Sequence, residues 1–366
     1  MSQKVEKSWE RLMAMPKKTL EQLFETDAER LDMLTGRIDW PSENGTAGIY
    51  FDWSKTHLDL SIIHEFEIIA SEMGFAEKRE KLFSGGQVNV TEQRSATHTA
   101  MRGMGSETDI EEAHSLLARM GLLVDAIKEG LLGEISHIIH IGIGGSALGP
   151  ALAIDALCRD LSLFDVHVVS NIDGAALEEA FKKCDPSKTL VAVASKTFTT
   201  TETMTNAISA LKWLQENGVS DPYGRVVALT ASPENAVAWG IDETRVLPFP
   251  NSVGGRYSLW SSIGFPLALS IGMDEFTKML DGASVVDKHF LQNEGASNLC
   301  LRAAFSDQYY ARIMGSQTRA CFVYDERLRL FPSYLQQLEM ESNGKRVKLD
   351  GSPVTGPTAP ITWGGV

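Results

Sequence analysis

The chain has 366 residues, 43% of them apolar, which is enough for about two domains with sizeable cores. Its 34 basic and 48 acidic residues give a formal net charge of -14, which disfavours nucleic acid and anionic membrane surfaces as general partners. The N-terminal residues carry charges throughout and contain no apolar signal segment. The composition therefore indicates a globular protein. To bind an anionic small molecule, this acidic protein needs a site with local positive charge.

The cysteines are far apart in the chain, at Cys158, Cys184, Cys300 and Cys321. They form no CxxC pair, and no histidine accompanies them at a metal-binding spacing. Buried free thiols in a reducing cytoplasm explain this usage, so we expect a cytoplasmic protein without a metal site.

The first part of the chain, residues 1–115, is predicted to be a mostly helical arm. Between Thr19 and Leu34 the apolar residues recur at helical spacing. Residues 48–60 then alternate in the manner of a strand, after which helical spacing returns.

The middle of the chain, residues 116–285, contains short apolar runs that are separated by segments long enough for a helix. The runs are HIIHIGIGG, DVHVVSN, TLVAVASK and RVVALTA. Apolar strands that alternate with helices predict an α/β fold with a doubly wound parallel sheet covered on both faces. Ligands of such sheets bind beyond the carboxyl ends of the strands, which is where we look for chemistry.

The last part, residues 286–366, is predicted to begin a second domain. A helical stretch is followed by the short run RACFVYD, by a helix from about Ser333 and by the strand-like ending ITWGGV. Because a further strand-to-loop transition starts there, we expect this second domain to be truncated.

The first candidate site is IGIGGSALGP at 141–150, where a strand meets a helix. Glycines there let backbone N–H groups approach an anion, the helix dipole favours negative charge, and Ser146 adds a hydroxyl. The letters also fit GxGxxA through Gly142, Gly144 and Ala147, which is typical of a dinucleotide-dependent oxidoreductase. However, the next strand lacks the acid that this fingerprint requires. A tight packing turn is the third possibility.

The second candidate is ASKTFTTTETMTNA at 194–207, which joins a strand to a helix. Backbone N–H groups, Ser and Thr hydroxyls and the single Lys196 together suit a dianionic phosphate. A threonine-rich loop that only caps the helix is the alternative. Two donor-rich loops at nearby strand ends favour the phosphate interpretation.

The third candidate is NSVGGRYSLWSSIGFP at 251–266, in which Arg256 follows two glycines. The glycines allow a close backbone approach, and the permanent charge of a guanidinium suits a developing oxyanion. The alternative is a structural arginine that pairs with a core carboxylate.

The fourth candidate is SYLQQLEMESNGK at 333–345, which predicts a helix that stops at Asn343 and Gly344. Gln337 and Glu341 are four residues apart and share one face of that helix. Glu341 lies in the last turn, where the dipole disfavours a charged carboxylate, and this suits a general base. A solvated surface glutamate is the alternative.

These segments together resemble the glucose-6-phosphate isomerase family. The chain carries IGIGGSALGP, SNIDG, ASKTFTTTETMTNA, SVGGRYSLWSSIG and QQLEMESNGK in the family's order, and residues 83–102 resemble its N-terminal segment. The resemblance implies two three-layer α-β-α sugar-isomerase (SIS) domains in a homodimer. It also implies the interconversion of glucose 6-phosphate and fructose 6-phosphate through a cis-enediol, in glycolysis and gluconeogenesis, without metal or cofactor.

The resemblance implies roles for individual residues as well. Glu341 would move a proton between C2 and C1 of the opened sugar, and Arg256 would stabilise the enediolate. The residues that would bind the sugar phosphate or line the site are Gly145, Ser146, Ser195, Lys196, Thr197, Thr200, Thr203 and Gln337.

The chain also departs from the family's pattern. Ala147 stands where the family often has Asp, and Thr201 stands where Gln is usual. After TGPTAPITWGGV the family normally continues with segments that supply a ring-opening His and a Lys, and none of the 8 histidines here lies in a matching context. We therefore expect the sugar-opening and dimer-forming parts to be missing, and a non-catalytic sugar-phosphate-binding fragment is the alternative to an active isomerase.

Overall fold

The computed structural model describes residues 3–42 and 45–365 of the chain. Its N-terminal part consists of short helices and one antiparallel hairpin. These elements are α1 (Gln3–Ala14), α2 (Leu20–Thr26), α3 (Arg30–Leu34), β1 (Thr35–Ser42), β2 (Gly45–Asp52), α4 (Leu60–Glu72) and α5 (Phe75–Phe83). Helix α2 begins at a capping box in which Thr19 and Gln22 each bind the other's backbone N–H, so its start is specified locally.

The middle of the chain alternates strands and helices, as the sequence predicts. The elements are α6 (Glu107–Lys128), β3 (His137–Gly142), α7 (Leu148–Leu161), β4 (Asp165–Val169), α8 (Gly174–Lys183), β5 (Thr189–Ala194), α9 (Thr201–Glu216), β6 (Val226–Thr230), α10 (Pro233–Ala238), β7 (Val246–Pro248), α11 (Phe265–Ile271) and α12 (Met273–Gln292). Strands β3 to β6 are the four predicted runs. Strand β7 was missed because three residues are too short to show a period.

Strands β3 to β7 form one parallel sheet in the order β4-β3-β5-β6-β7. The chain leaves β3 towards the edge strand β4 and then returns to β5 on the other side of β3. The strand order therefore reverses between β3 and β5, and ligands of doubly wound sheets bind at the carboxyl ends of such a pair.

Helices cover both faces of this sheet, which confirms the predicted three-layer α/β fold. Helices α6, α7 and α11 pack on one face, where Ile138 and Leu190 point, and α12 joins them. Helices α8, α9 and α10 pack on the other face, against Ile139 and Val191. Alternate residues of each strand are thus buried on opposite faces, so the strands read as continuous apolar runs.

The C-terminal part contains a second, smaller sheet. Its elements are α13 (Leu299–Gln308), β8 (Thr318–Phe322), α14 (Phe331–Leu335) and β9 (Ile361–Gly365), with π-helical turns at Tyr309–Ile313 and Gln336–Glu341. Strands β8 and β9 pair in parallel.

The predicted domain boundaries at 115/116 and 285/286 fall inside α6 and α12. Helix α13 shares a core cluster with α1 and α4, through Phe305, Leu12 and Phe66. The division into three parts stays a prediction. Among the helices of the described ranges, none combines the length and apolarity that a membrane span requires.

Candidate active site

The turn after β3 is held in a conformation that requires glycine. Gly144 has a φ of +60°, in the left-handed region, and a Cβ at Gly142 would lie 2.9 Å from the carbonyl oxygen of Ser146. A short 3-10 turn at Gly144–Ser146 then leads into α7, and no side chain caps the first N–H groups of that helix. The helix N-terminus is therefore open to an anion.

His140 fixes this turn from inside the sheet. Its Nε2 lies 2.6 Å from the carbonyl oxygen of Ser146, and its side chain is completely buried. Burial lowers the pKa of His140 to about 4, against the opposing effect of the hydrogen bond to Ser146. The ring is therefore neutral near pH 7, and its Nε2–H donates to Ser146. Sequence reasoning did not single out His140, because a histidine inside an apolar strand carries no motif.

The loop between β5 and α9 places hydroxyls beside the first turn. Ser195 is buried, and its Oγ lies 3.0 Å from Oγ1 of Thr200. Phe198 has a φ of 54° and a buried ring, which anchors the loop. Thr197 is exposed, whereas Thr203 is only 1% exposed in the first turn of α9.

The hydroxyls of this loop do not cap α9. The N-cap residue Thr200 makes no side-chain hydrogen bond to the helix, and its hydroxyl pairs with Ser195 instead. By contrast, Asp173 caps α8 by accepting from the N–H of Ala175 at 2.9 Å. The interpretation of this segment as a local capping loop is therefore wrong for Thr200, and the N-terminus of α9 also lies open.

Lys196 points towards the segment that carries Arg256. Its Nζ donates to the carbonyl oxygens of Asn251 at 2.6 Å and Val253 at 3.1 Å. Burial, followed by the nearby charge of Arg94, lowers the pKa of Lys196 to about 8. The ammonium thus links the two loops, a role that no local pattern shows.

Gly145 and Gly255 bring two backbones into direct contact. A Cβ at Gly145 would lie 2.2 Å from the carbonyl carbon and 2.3 Å from the carbonyl oxygen of Gly255. Ser258 Oγ donates to the same Gly255 oxygen at 2.7 Å. Only glycine at position 145 allows this approach, which sets the distance between the turn after β3 and Arg256.

Arg256 is exposed, and no carboxylate of the described residues lies within ion-pair distance of it. Its guanidinium lies 5.6 Å from the centre of the Tyr257 ring, and His98 stacks on that ring at 4.2 Å. The pKa of His98 is lowered to about 3, mainly by burial and further by Arg102 and Arg256. The interpretation of Arg256 as a structural partner of a core carboxylate is therefore wrong.

The helix that carries Gln337 and Glu341 contains a π turn over Gln336–Glu341 and continues to Asn343. Ser342 Oγ donates to the carbonyl oxygen of Gln337 at 2.6 Å. Gly344 N donates to the carbonyl oxygen of Met340 at 2.9 Å, close to the predicted end of the helix. A Cβ at Gly144 would lie 2.8 Å from Nε2 of Gln337. Gln337 thus reaches the turn after β3, and π turns are frequent at functional sites.

Glu341 is exposed, and its carboxylate makes no ion pair among the described residues. The neighbouring Glu339 differs, because it pairs with Arg319, whose Nη1 lies 3.0 Å from Oε1 of Glu339. Arg319 also pairs with Asp307 at 2.6 Å. Of these two glutamates, only Glu339 forms an ion pair among the described residues, whereas the Glu341 carboxylate accepts a hydrogen bond of 3.4 Å from Ser342 Oγ.

These pieces meet at the carboxyl end of the sheet. The Gly144–Ser146 turn, the Gly255–Trp260 segment and the Gln336–Glu341 turn contact one another, and β3 and β5 are adjacent strands. A cavity of about 690 Å³ opens beside them, between Arg256, Ser342 and residues of the 88–96 segment such as Arg94. Ser146 and Ser195 are not among the described residues that line this cavity.

The fold and the site define a doubly wound α/β protein. It has two open helix N-termini at the reversal of strand order, with an exposed arginine and an exposed glutamate beside them. The chain belongs to the Phosphoglucose isomerase family, whose sequence profile matches residues 52–366.

Known proteins agree with this assignment. The chain is 63% identical to the glucose-6-phosphate isomerase of Erythrobacter litoralis over 100% of its own length and 72% of that protein. It is 62% identical to the enzyme of Novosphingobium aromaticivorans, over 98% of the chain and 70% of the relative. The crystal structure of a glucose-6-phosphate isomerase from Chlamydia trachomatis matches with a TM-score of 0.85 at 25% identity, covering 99% of this chain and 70% of that one.

Proposed function

We propose that the protein interconverts D-glucose 6-phosphate and D-fructose 6-phosphate, an aldose–ketose isomerisation through a cis-enediol. The observation that carries this proposal is that the segments of Arg256 and Glu341 contact each other near two open helix N-termini, while both side chains lack an ion-pair partner among the described residues. The names of the relatives, at 62–63% identity, support the same substrates.

The proposed chemistry needs only a proton carrier and a cation. In the open-chain aldose, the Glu341 carboxylate takes the proton from C2, and the electron pair moves towards the carbonyl oxygen on C1. Arg256 stabilises the negative charge that develops there. The proton of the C2 hydroxyl passes to O1, and the protonated Glu341 then returns its proton to C1 while the electron pair left on O2 forms the new carbonyl, which gives the ketose. No electron leaves the substrate, so no oxidant is required.

The phosphate is proposed to bind at the ends of β3 and β5. Ser146, Ser195, Thr197 and Thr200 supply hydroxyls, and the first N–H groups of α7 and α9 supply further donors. Thr203 is buried, so we assign its contribution to its backbone N–H rather than to its hydroxyl. Gly145 and Gln337 line the reacting end, and Lys196 holds the phosphate loop against the Arg256 segment.

The isomerase is favoured over the two other classes of function. The matching relatives bear isomerase names, which favours an isomerase over a non-catalytic sugar-phosphate-binding fragment. A dinucleotide-dependent oxidoreductase requires an acid at the end of the second strand, but β4 ends at Val169 and is followed by Ser170 and Asn171. A location in the cytoplasm belongs to the same proposal, by family membership.

The test is the turnover of fructose 6-phosphate by the purified chain, measured by coupled formation of glucose 6-phosphate. We expect Glu341→Gln to lower kcat by on the order of 10²–10⁴-fold, because it removes the proton carrier. Arg256→Lys is expected to lower kcat by on the order of 10²–10³-fold. The matched control is Glu216→Gln, an exposed glutamate at the end of α9 whose partner is Lys212.

Unchanged turnover in Glu341→Gln would contradict the assigned base. If the parent chain shows no turnover but fructose 6-phosphate raises its Tm, the binding-fragment alternative is favoured instead.

A further inference from the structure

A cluster of metal-binding side chains lies near the amino end of the central sheet, away from the candidate active site. A ring nitrogen of His137, a ring nitrogen of His167 and the Sγ of Cys184 all lie within 4.8 Å of one another. His137 opens β3, His167 lies on the neighbouring edge strand β4, and Cys184 directly follows α8. The cluster therefore joins three elements of the fold.

The strand register explains why both histidines point to the same side. His137 is opposite Asp165, and His167 is opposite Ile139 in the parallel pair. Because side chains alternate along a strand, His137 and His167 share the face of Ile139, which is the face that α8 covers. Cys184 reaches that face from the end of α8 and is only 9% exposed.

One ring nitrogen of each of these two histidines has no hydrogen-bond partner among the described residues. Nδ1 of His137 and Nε2 of His167 are both buried, and neither makes a hydrogen bond within the described residues, although Oδ2 of Asp165 lies 3.7 Å from Nδ1 of His137. Buried polar atoms are nearly always paired in folded proteins, so two such atoms beside one thiol require an explanation. A bound cation would satisfy both.

The donor set selects the kind of ion. Two imidazole nitrogens and one thiolate suit Zn²⁺, which binds four such ligands in tetrahedral sites. The Asp165 carboxylate can supply the fourth ligand. Its Oδ2 lies 3.7 Å from Nδ1 of His137, and the side chain is exposed. Zinc bonds of about 2.0–2.2 Å place neighbouring nitrogen and oxygen ligands roughly 3.4 Å apart, close to this distance.

We propose that His137, His167, Cys184 and Asp165 bind one Zn²⁺ ion. The Cys184 thiol loses its proton to solvent as the sulfur–zinc bond forms, while both imidazoles bind as neutral rings. Two anionic ligands then balance the charge of the ion. Lys183 also interacts with this cluster and opposes the positive ion, whereas Asp185 interacts with His137 and favours it.

The ion would tie β3, the edge strand β4 and the end of α8 together. Its role is therefore structural, since Glu341 and Arg256 lie at the carboxyl end of the same sheet. His167 comes 30 residues after His137, and Cys184 comes 17 residues after His167. These spacings match no linear zinc motif, so only the fold brings the ligands together.

The experiment uses the purified chain after removal of metals with a chelator. Titration with Zn²⁺ is expected to show about one ion and about one released proton per chain, and a higher Tm. Co²⁺ in place of Zn²⁺ is expected to give a thiolate charge-transfer band and the intense visible bands of a tetrahedral site. Mg²⁺, which prefers oxygen ligands, is the control ion and is expected to leave Tm unchanged.

The variants separate this site from other metal-binding groups. Cys184→Ser and His167→Gln are each expected to weaken Zn²⁺ binding by at least about tenfold and to abolish the thiolate band or change its shape. Cys158→Ser is the matched control, because Cys158 is a half-buried thiol of α7 on the opposite face of the sheet. If Cys184→Ser does not fold, His167→Gln alone decides.

The proposal is overturned by substoichiometric Zn²⁺ binding to the parent chain, by a Co²⁺ complex without thiolate character, or by an equal effect of Cys158→Ser. This test does not measure isomerase turnover, so its result is independent of the test of the proposed function.

Discussion

Nε2 of His140 lies 2.6 Å from the carbonyl oxygen of Ser146, and this contact connects the interior of the sheet to the turn that opens α7. The imidazole makes no other hydrogen bond within the described residues, since its Nδ1 is buried and unpaired. Protonation at Nδ1 would therefore bury a positive charge, and the new N–H would have no hydrogen-bond acceptor. The position of Ser146 and the acid stability of the fold depend on the same side chain.

We expect acid to destabilise the protein through His140. Its folded-state pKa of about 4 lies below the 6.5 of the unfolded chain, so the unfolded state binds more protons between these values. The free energy of unfolding therefore falls as pH drops through this window, by about 2 kcal/mol from this residue at pH 5. Urea unfolding at several pH values between 5 and 7.5 measures this fall in the free energy of unfolding.

His140→Gln is expected to flatten this pH dependence without removing it, because His98 has a lowered pKa of about 3 and acts in the same direction. The control is His114→Gln, since His114 is exposed on α6. An identical slope in the parent chain and in His140→Gln would rule out the assigned role of His140.

Gly145→Ala is expected to separate the turn after β3 from the Arg256 segment. The added Cβ would lie 2.2 Å from the backbone of Gly255, and backbone cannot move aside as a flexible side chain can. A shift of about 1 Å between reacting groups lowers kcat/KM by on the order of 10²-fold. Steady-state kinetics with fructose 6-phosphate checks this result.

The control for this substitution is Gly282→Ala. A Cβ at Gly282 would meet nothing within 4 Å, and the residue lies in the middle of α12. Alanine there is expected to stabilise the helix by about 0.5–1 kcal/mol and to leave kcat/KM unchanged. Equal kinetics in both alanine variants would show that the contact between Gly145 and Gly255 does not matter for turnover.

The value of kcat/KM is expected to fall as pH rises through about 8, where Lys196 loses its charge in the free enzyme. The substrate phosphate is already dianionic in this range, so its own titration does not interfere. Global unfolding does not explain such a fall. The unfolded chain keeps the Lys196 proton up to about 10.5, so this group makes the fold more stable as pH rises between 8 and 10.5.

Lys196→Arg tests this assignment, because a guanidinium stays charged at all relevant pH values. We expect its kcat/KM to be lower than that of the parent chain near pH 7 but to lack the alkaline fall. A fall with the same midpoint in Lys196→Arg would assign the titration to another group.

Glu339→Gln and Glu341→Gln are expected to have opposite effects, although the two residues are close neighbours. Glu339 pairs with the half-buried Arg319, whose Nη1 also lies 2.6 Å from Asp307. Burial raises the pKa of Asp307 despite the opposing charge of Arg319, so this acid needs its cation. Loss of the Glu339 charge is expected to cost about 1 kcal/mol, since the pair is partly exposed.

Urea unfolding and kcat, measured on both variants, provide the check. Glu339→Gln should lose stability and keep kcat, whereas Glu341→Gln should keep stability and lose kcat. If Glu339→Gln lowered kcat as strongly as Glu341→Gln with no loss of stability, the base would be wrongly assigned.

The sequence by itself determined the fold class and the segments of the candidate site. Four apolar runs predicted β3 to β6, and the glycines and hydroxyls after β3 and β5 predicted donor-rich turns at their ends. These features are local, because the burial of a strand and the freedom of a glycine depend on neighbouring residues in the chain.

Only the tertiary structure decided how those segments meet. It added the short strand β7, placed Gly145 against Gly255 and turned Lys196 towards Asn251. Among the described residues, it left Glu341 rather than Glu339 without an ion-pair partner. It also brought His137, His167 and Cys184 together at the other end of the sheet. Each of these contacts joins residues whose partners are set by strand order and loop packing, and periodicity within one element reports only which of its faces is buried.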